Sequence, residues 1–217
     1  MRRQLLPALR MVLVATLVLG LAYPLAMTGL AQGLFHAKAD GSLVTRDGKV
    51  VGSSLMGQAF TSPRYFDSRP SAAGALASGS LVQDTDANGN PVGAPHPADP
   101  TDLSAAASGA SNEGPTDKDL LTAIKERTAA YRTENGLASD VPVPIDAVTA
   151  SGSGVDPHIS VANAKLQAPR VARERGVPLT EVLALISKHT DTRSLGFLGE
   201  DGVNVLQLNL ALDGLAG

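Results

Sequence analysis

From Met11 to Phe35 the chain runs 25 residues without a charged side chain. A hydrophobic run of that length is long enough to cross a bilayer as a helix. At about 1.5 Å per residue it measures about 37 Å, against about 30 Å of hydrocarbon, so it has room to tilt. Two readings compete for it: a retained transmembrane helix and a cleaved signal peptide. Arg2, Arg3 and Arg10 precede the run, and Gly29-Leu30-Ala31 has the small-x-small form of a cleavage site. The apolar region of a signal peptide is about 7–15 residues, and this run is longer. Pro24 interrupts it, and Gly29 and Gly33 stand at small-xxx-small spacing, which suits packing on a neighbouring membrane helix. Basic residues gather on the cytoplasmic flank of a span, so residues 1–10 are expected in the cytoplasm and 36–217 across the membrane.

The part beyond the span is long enough for one domain with its own core. It carries 15 basic against 21 acidic side chains, net −6, which argues against nucleic acid as a partner. With 3% aromatics and no Trp, the core rests on Leu, Val, Ile and Ala. There is no Cys, hence no disulfide framework, thiolate metal site or lipid-modified cysteine.

In chain order, Arg46-Asp47-Gly48 between Ser42–Thr45 and Lys49–Val51 predicts a hairpin, because Asp and Gly tolerate the positive φ of a type I′ turn. Residues 72–110, mostly Ala, Gly, Ser, Asp and Pro, read as a long mobile loop, with an insertion at 75–100. Within it Asp84, Asp86, Asn88, Gly89 and Asn90 match the first half of a calcium loop. The twelfth position holds Pro95 instead of a bidentate Glu, so a plain Asn-Gly turn is the expectation. Thr116 opens a helix with Leu120, Ile124, Arg127 and Tyr131 on one face and Gly136 past its end. Val141, Val143 and Ile145 alternate around Pro142 and Pro144 as in an edge strand. A small-residue loop, 148–160, then leads into a helix. Asp156 or Ser160 caps it, Pro157 sits in its first turn, Ala162, Leu166, Val171 and Ala172 line it, and Gly176 ends it. A further helix runs from Thr180 to about His189. Val203, Val205, Leu208, Leu210 and Leu212 read as a buried strand. The fold class is α+β: one N-terminal transmembrane helix followed by a single extracytoplasmic α/β domain of about three helices and four or five short strands.

No phosphate loop or nucleophile elbow occurs; Ser151 stands two before Ser153, where the elbow needs Gly. Gly152-Ser153-Gly154 before a helix offers backbone N–H groups to an anion, though such loops are more often tight connections. Ser153, His158 and Asp156 contain the residue types of a hydrolase triad, but residues so close in sequence rarely reach triad geometry. A membrane-anchored extracytoplasmic serine hydrolase is therefore the alternative function. His36, His96, His158 and His189 show no metal-ligand spacing, so no metal is expected.

Several motifs occur together in order: Tyr23-Pro24, Gly57-Gln58, Tyr65-Phe66, Arg69-Pro70-Ser71, Ser108–Asn112, Val141–Pro144, Val148–Ser160, Gln167, Arg170-Val171-Ala172, Arg175, Gly196–Gly199, Val203–Leu206 and Leu208-Asn209. On these the chain resembles the C-subunit family of the Kdp potassium-transporting P-type ATPases, departing from it over 75–100. The resemblance implies a retained anchor and an accessory subunit of an ATP-driven K⁺ importer, with the name of catalytic chaperone. It also implies three partners: a channel-like potassium-binding subunit, a P-type ATPase subunit and a small helical subunit. The chain lacks the Asp-Lys-Thr-Gly phosphorylation motif, so no catalytic residue of its own is expected, and ATP is used by the pump subunit. The resemblance marks Gln167 as a nucleotide contact. The arginine bias, however, puts Gln167 outside, away from cytoplasmic ATP. Partner contacts are expected at Tyr23, Pro24, Gly29 and Gly33 in the membrane, and outside it at Ser151, Gly152, Ser153, Gly154, Asp156 and His158.

Overall fold

The computed structural model describes residues 2–60, 62–73, 81–85, 91–97 and 108–216, and the chain divides into two units, Met1–Leu43 and Val44–Gly217. In the first unit the uncharged run is helical, and the helix continues past both of its ends. It comprises α1 (Arg2–Leu17), a π turn (Val18–Ala22) and α2 (Tyr23–Ala39). Pro24 has no N–H for the Gly20 carbonyl, and its ring crowds that carbonyl. The π turn widens the spiral just before it, and the Tyr23 N–H donates to the Val18 carbonyl, one residue further back than in an α-helix. Phe35, the last residue of the run, leaves helical dihedrals (φ −137°, ψ 42°). Gln32 Nε2 then donates to Asp40 Oδ1 at 2.8 Å, and His36 Nε2 lies 3.3 Å from Asp40. The stretch Gln4–Ala39 is long and apolar enough to cross a membrane, and none of its most apolar window is buried by the chain.

The expected hairpin follows, β1 (Leu43–Arg46) and β2 (Lys49–Ser53). Asp47 (φ 52°) and Gly48 (φ 75°) both take the positive φ of a type I′ turn. Inside the segment read as a loop, β3 (Leu81–Thr85) and β4 (Pro91–Pro97) pair antiparallel, with a register shift between Val82 and Asp84. The remaining residues of 74–107, among them Asp86, Asn88, Gly89 and Asn90 of the calcium-like turn, lie outside those described.

Next comes α3 (Lys118–Asn135), capped by Asp117 rather than Thr116; the Asp117 carboxylate accepts the Asp119 N–H at 2.8 Å. Its inward face includes Leu120, Ile124, Arg127 and Tyr131, with Asn135 added, and Gly136 (φ 64°) ends it. The segment 141–145 is not a strand. Pro142 and Pro144 supply no N–H to a ladder, and Pro144 leads instead into a single turn, α4 (Ile145–Val148).

The segment before the next helix is also more structured than expected. β5 (His158–Ser160) precedes α5 (Val161–Arg175), so Pro157 lies outside the helix and its carbonyl accepts the Val205 N–H at 3.0 Å. Of the two proposed caps, Ser160 holds the position, accepting the Asn163 N–H at 3.1 Å. Gly176 (φ 70°) closes the helix, as read. Pro169 interrupts the backbone ladder of α5 on the exposed side, where water can reach the freed Lys165 carbonyl. Then α6 (Leu179–Lys188) leads to β6 (Thr190–Asp191) and β7 (Gly202–Asn204). A three-stranded antiparallel sheet has the order β5-β7-β6, with Ile159 and Thr190 both opposite Val203.

The run after Val203 corrects the strand expectation, because Val205–Asp213 is helical (α7). Asn204 caps it by accepting the Gln207 N–H at 3.1 Å. Val205, Leu208, Asn209 and Leu212 fall at i, i+3, i+4 and i+7, one face of a helix, and all are buried. They close a core with Phe66, Ile159, Ala164, Ala168, Val171, Val182, Ile186 and Val203. Burying a Leu here is worth about 1.5–3 kcal/mol. The inward face of α5 also differs from the apolar one expected. Ala162 is exposed, and Asn163, Gln167 and Arg170 are buried beside Ala164, Ala168 and Val171.

Candidate functional site

Those inward polar groups, with Arg175 and Asn209, hold residues 63–67, which begin in a turn closed by the Tyr65 N–H on the Ser62 carbonyl (3.0 Å). Arg170 Nη1 donates to the carbonyls of Pro63 (2.8 Å) and Tyr65 (3.0 Å), and Arg175 Nε donates to that of Arg64 (2.7 Å). Asn209 Oδ1 accepts the Phe66 N–H at 2.8 Å, and Asn209 Nδ2 donates to the Phe66 carbonyl at 3.0 Å. Gln167 treats Asp67 the same way, accepting its N–H at 2.8 Å and donating to its carbonyl at 3.3 Å. The backbone of the buried Phe66 lies outside any sheet and needs such partners, and side-chain amides carry both a donor and an acceptor. Gln167 is 1% exposed and spends its other bonds on Asn163 Oδ1 (2.9 Å) and Arg170 Nη2 (3.0 Å). Four of the motif residues, Gln167, Arg170, Arg175 and Asn209, thus build one clamp around the buried Phe66.

Arg170, also 1% exposed, faces Asp67 at 2.6 Å and Glu134 at 3.6 Å. Burial pushes the Asp67 carboxyl up to about 7; Arg170 pulls against that rise and Glu134 adds to it. Two carboxylates against one guanidinium in a partly dry site favour keeping one proton. Burial also raises the Tyr131 phenol, and Asp146 reinforces this; its hydroxyl donates to Asn163 Oδ1 at 2.8 Å. Sequence reasoning passed over Asp67, Glu134 and Asn163, because their partners are distant in the chain.

The loop 151–158 divides into buried and open residues. Ser151 and Gly154 are buried, whereas Gly152 and Ser153 are exposed. Gly154 (φ 71°) packs so closely that a Cβ there would overlap Ala73 and the Gly109 carbonyl. Its own carbonyl accepts Ser71 Oγ at 2.6 Å, and the Ser153 carbonyl accepts the Gly109 N–H at 2.9 Å. The Ser153 hydroxyl accepts the Val155 N–H at 3.2 Å, capping its own turn. The His158 ring lies between two carboxylates, with Nε2 3.0 Å from Asp191 Oδ2 and Nδ1 3.9 Å from Asp156 Oδ1, and Asp156 also pairs with Arg69 at 3.0 Å. Ser153 and His158 are thus engaged with different partners, and the structure gives the serine hydrolase alternative no support.

Asp156 and His158 open onto a cleft of about 410 Å³ that is also lined by Arg69, Asp146, Asp191, Glu200 and Asp201. Asp146 is occupied by Ser160 and Asn163. Among the described residues no group of three His, Asp or Glu is placed to hold a metal ion. The cleft wall is acidic, and its carboxylates are paired within the chain.

Of the four membrane positions, Tyr23 and Pro24 are exposed at the π turn. Gly29 and Gly33 lie one helical turn apart, and a Cβ at either would meet nothing within 4 Å. That strip of α2 is free of contacts from the described residues.

The family model for the K⁺-transporting ATPase c chain, KdpC, matches residues 5–214. A Potassium-transporting ATPase KdpC subunit of Mycobacterium bovis (strain BCG / Pasteur 1173P2) is 54% identical over 215 residues, covering 99% of this chain and 100% of its own length. Subunits of the same name from Polaromonas naphthalenivorans (strain CJ2) and Koribacter versatilis (strain Ellin345) are 49% and 43% identical, each covering 99% of this chain and 96% of its own length. With its anchor-length helix and its buried clamp matched almost end to end, the chain belongs to the KdpC family.

Proposed function

We propose that this chain is the accessory, non-hydrolysing subunit of an ATP-driven, high-affinity K⁺ import complex. The observation that carries the proposal is the match to the K⁺-transporting ATPase c chain over residues 5–214. A single helix anchors it in the cell membrane. Arg2, Arg3 and Arg10 favour a cytoplasmic N-terminus and a domain on the outer side. Its partners are a channel-like potassium-binding subunit, a P-type ATPase subunit and a small helical subunit. Gly29 and Gly33 offer a strip for close helix packing, and Tyr23 and Pro24 are exposed as further contact candidates.

Its help to ATP use is indirect. The chain's own cleft is lined by carboxylates paired within the chain. Gln167 is buried with its amide committed within the chain, and on this orientation it lies across the membrane from cytoplasmic ATP. It supports the pump by holding 63–67 in place, so that the subunit favours one conformation of its partners through differential contacts.

The test is extraction of the C-terminally tagged chain in mild detergent from cells grown at low K⁺. Recovery of a channel-like and a P-type ATPase subunit, with K⁺-stimulated ATPase activity, is expected. A chain that emerges alone while those subunits are expressed overturns the proposal.

A further inference from the structure

Between β6 and β7 the chain makes a tight projecting loop, residues 193–201. The Ser194 and Leu198 backbones exchange two hydrogen bonds of 2.9 Å. At the base of the loop the Arg193 N–H donates to Asp201 Oδ1 (3.2 Å), and Arg193 Nη2 donates to Glu200 Oε2 (2.6 Å). The tip it fixes is apolar and faces solvent: Leu195 is 83% exposed, Phe197 69% and Leu198 51%. Leu195 also takes the left-handed region, φ 55°, which disfavours an L side chain of its size. Core packing does not account for a strained leucine and a phenylalanine displayed on a braced loop. Binding does, because the ordering cost is met before the partner arrives.

We propose that this loop is a docking knob whose tip inserts into an apolar pocket, rimmed by Lys and Arg, on the outer face of another subunit of the same transporter. The inference rests on the accessory-subunit reading above. The charge around the tip selects the occupant. Asp191, Glu200 and Asp201 flank it; Arg193 pairs with Glu200 and the His158 ring faces Asp191, which leaves carboxylates in excess. An acidic collar repels the anionic headgroups of a membrane surface and repels a second copy of itself, while it complements a basic rim.

The test uses the full-length tagged chain co-expressed with the other subunits. A photo-crosslinking residue at Phe197 is expected to join one of those subunits. Adducts only with lipid, only with a second copy, or none at all while the complex is recovered, overturn the assignment. The double variant Leu195→Ser/Phe197→Ser is expected to recover the partner subunits about tenfold less well, or worse, with an unchanged melting temperature. Glu200→Lys is expected to weaken recovery in the same direction. Equal recovery by wild type and the double variant removes the knob but leaves the subunit reading intact. A wild-type chain that comes out alone removes both.

Discussion

Asn209 on α7 serves both backbone polar groups of Phe66, 143 residues earlier, with hydrogen bonds of 2.8 Å and 3.0 Å. Phe66 is fully buried, so its N–H and carbonyl have no water to fall back on. Gln167 repeats the arrangement one residue further on, at Asp67. Two side-chain amides thus stand in for a neighbouring strand.

Asn209→Asp keeps the size and the acceptor but loses the donor to the Phe66 carbonyl. The expected loss is about 1–3 kcal/mol of unfolding free energy, and Asn209→Leu, which abandons both groups, should lose more. Urea unfolding of the full chain in detergent measures this. Midpoints equal to wild type for both variants would mean the clamp contributes nothing.

Asp67 gives the fold a pH dependence of definite sign. Its folded value of about 7 lies above the unfolded value of about 4, so the native state keeps a proton that the unfolded chain releases between the two. The contribution is complete below about pH 4 and is lost as pH rises through 7. Asp67→Asn should flatten the stability profile between pH 4 and 8, leaving Glu134 at 3.6 Å to face Arg170. Parallel wild-type and variant profiles would contradict the proton assignment.

Asp213 has the opposite sign. Partial burial opposes its ionisation, but hydrogen bonds from Arg175, Arg46 and Tyr65 outweigh burial and hold the carboxyl below its ordinary value. Its stabilisation is present above about pH 4 and fades as pH falls through the lowered folded value. Asp213→Asn should therefore be less stable than wild type by about 1–3 kcal/mol at pH 7, with the gap narrowing in acid. Thermal melts at pH 7 and pH 3 supply the comparison.

The two glycines around Ser153 should respond differently to a methyl group. Gly154→Ala puts a Cβ into Ala73 and the Gly109 carbonyl at φ 71°, with an expected loss of about 2 kcal/mol or more. Gly152→Ala meets nothing within 4 Å and should stay within about 0.5 kcal/mol of wild type. Equal melting temperatures for the two variants would contradict the close packing of Gly154 on Ala73 and Gly109.

In the membrane, Gly29→Leu/Gly33→Leu fills the open strip of α2 and should lower recovery of partner subunits without changing the stability of the second unit. Undiminished recovery would move the membrane contact to another face.

Local signals carried the local structure. The uncharged run, the Asp47-Gly48 turn, the caps at Gly136 and Gly176 and the α6 helix all depend on neighbours a few residues away, and all were legible. The order of motifs also identified the family. The Val and Leu run from Val203 read as one strand; Val203 does lie in β7, but Val205, Leu208 and Leu212 join Asn209 on one helical face. An apolar run of that length carries both periods, and the Asn204 cap with core contact decides between them. The clamp was not legible, because the buried face of α5 is polar and its partners lie about 100 residues upstream in the chain. Hydrophobic periodicity reports which residues avoid water when unpaired. Only tertiary structure decides which polar groups can leave water because a partner is waiting, and in this protein that decision places Gln167, Arg170 and Asn209 inside.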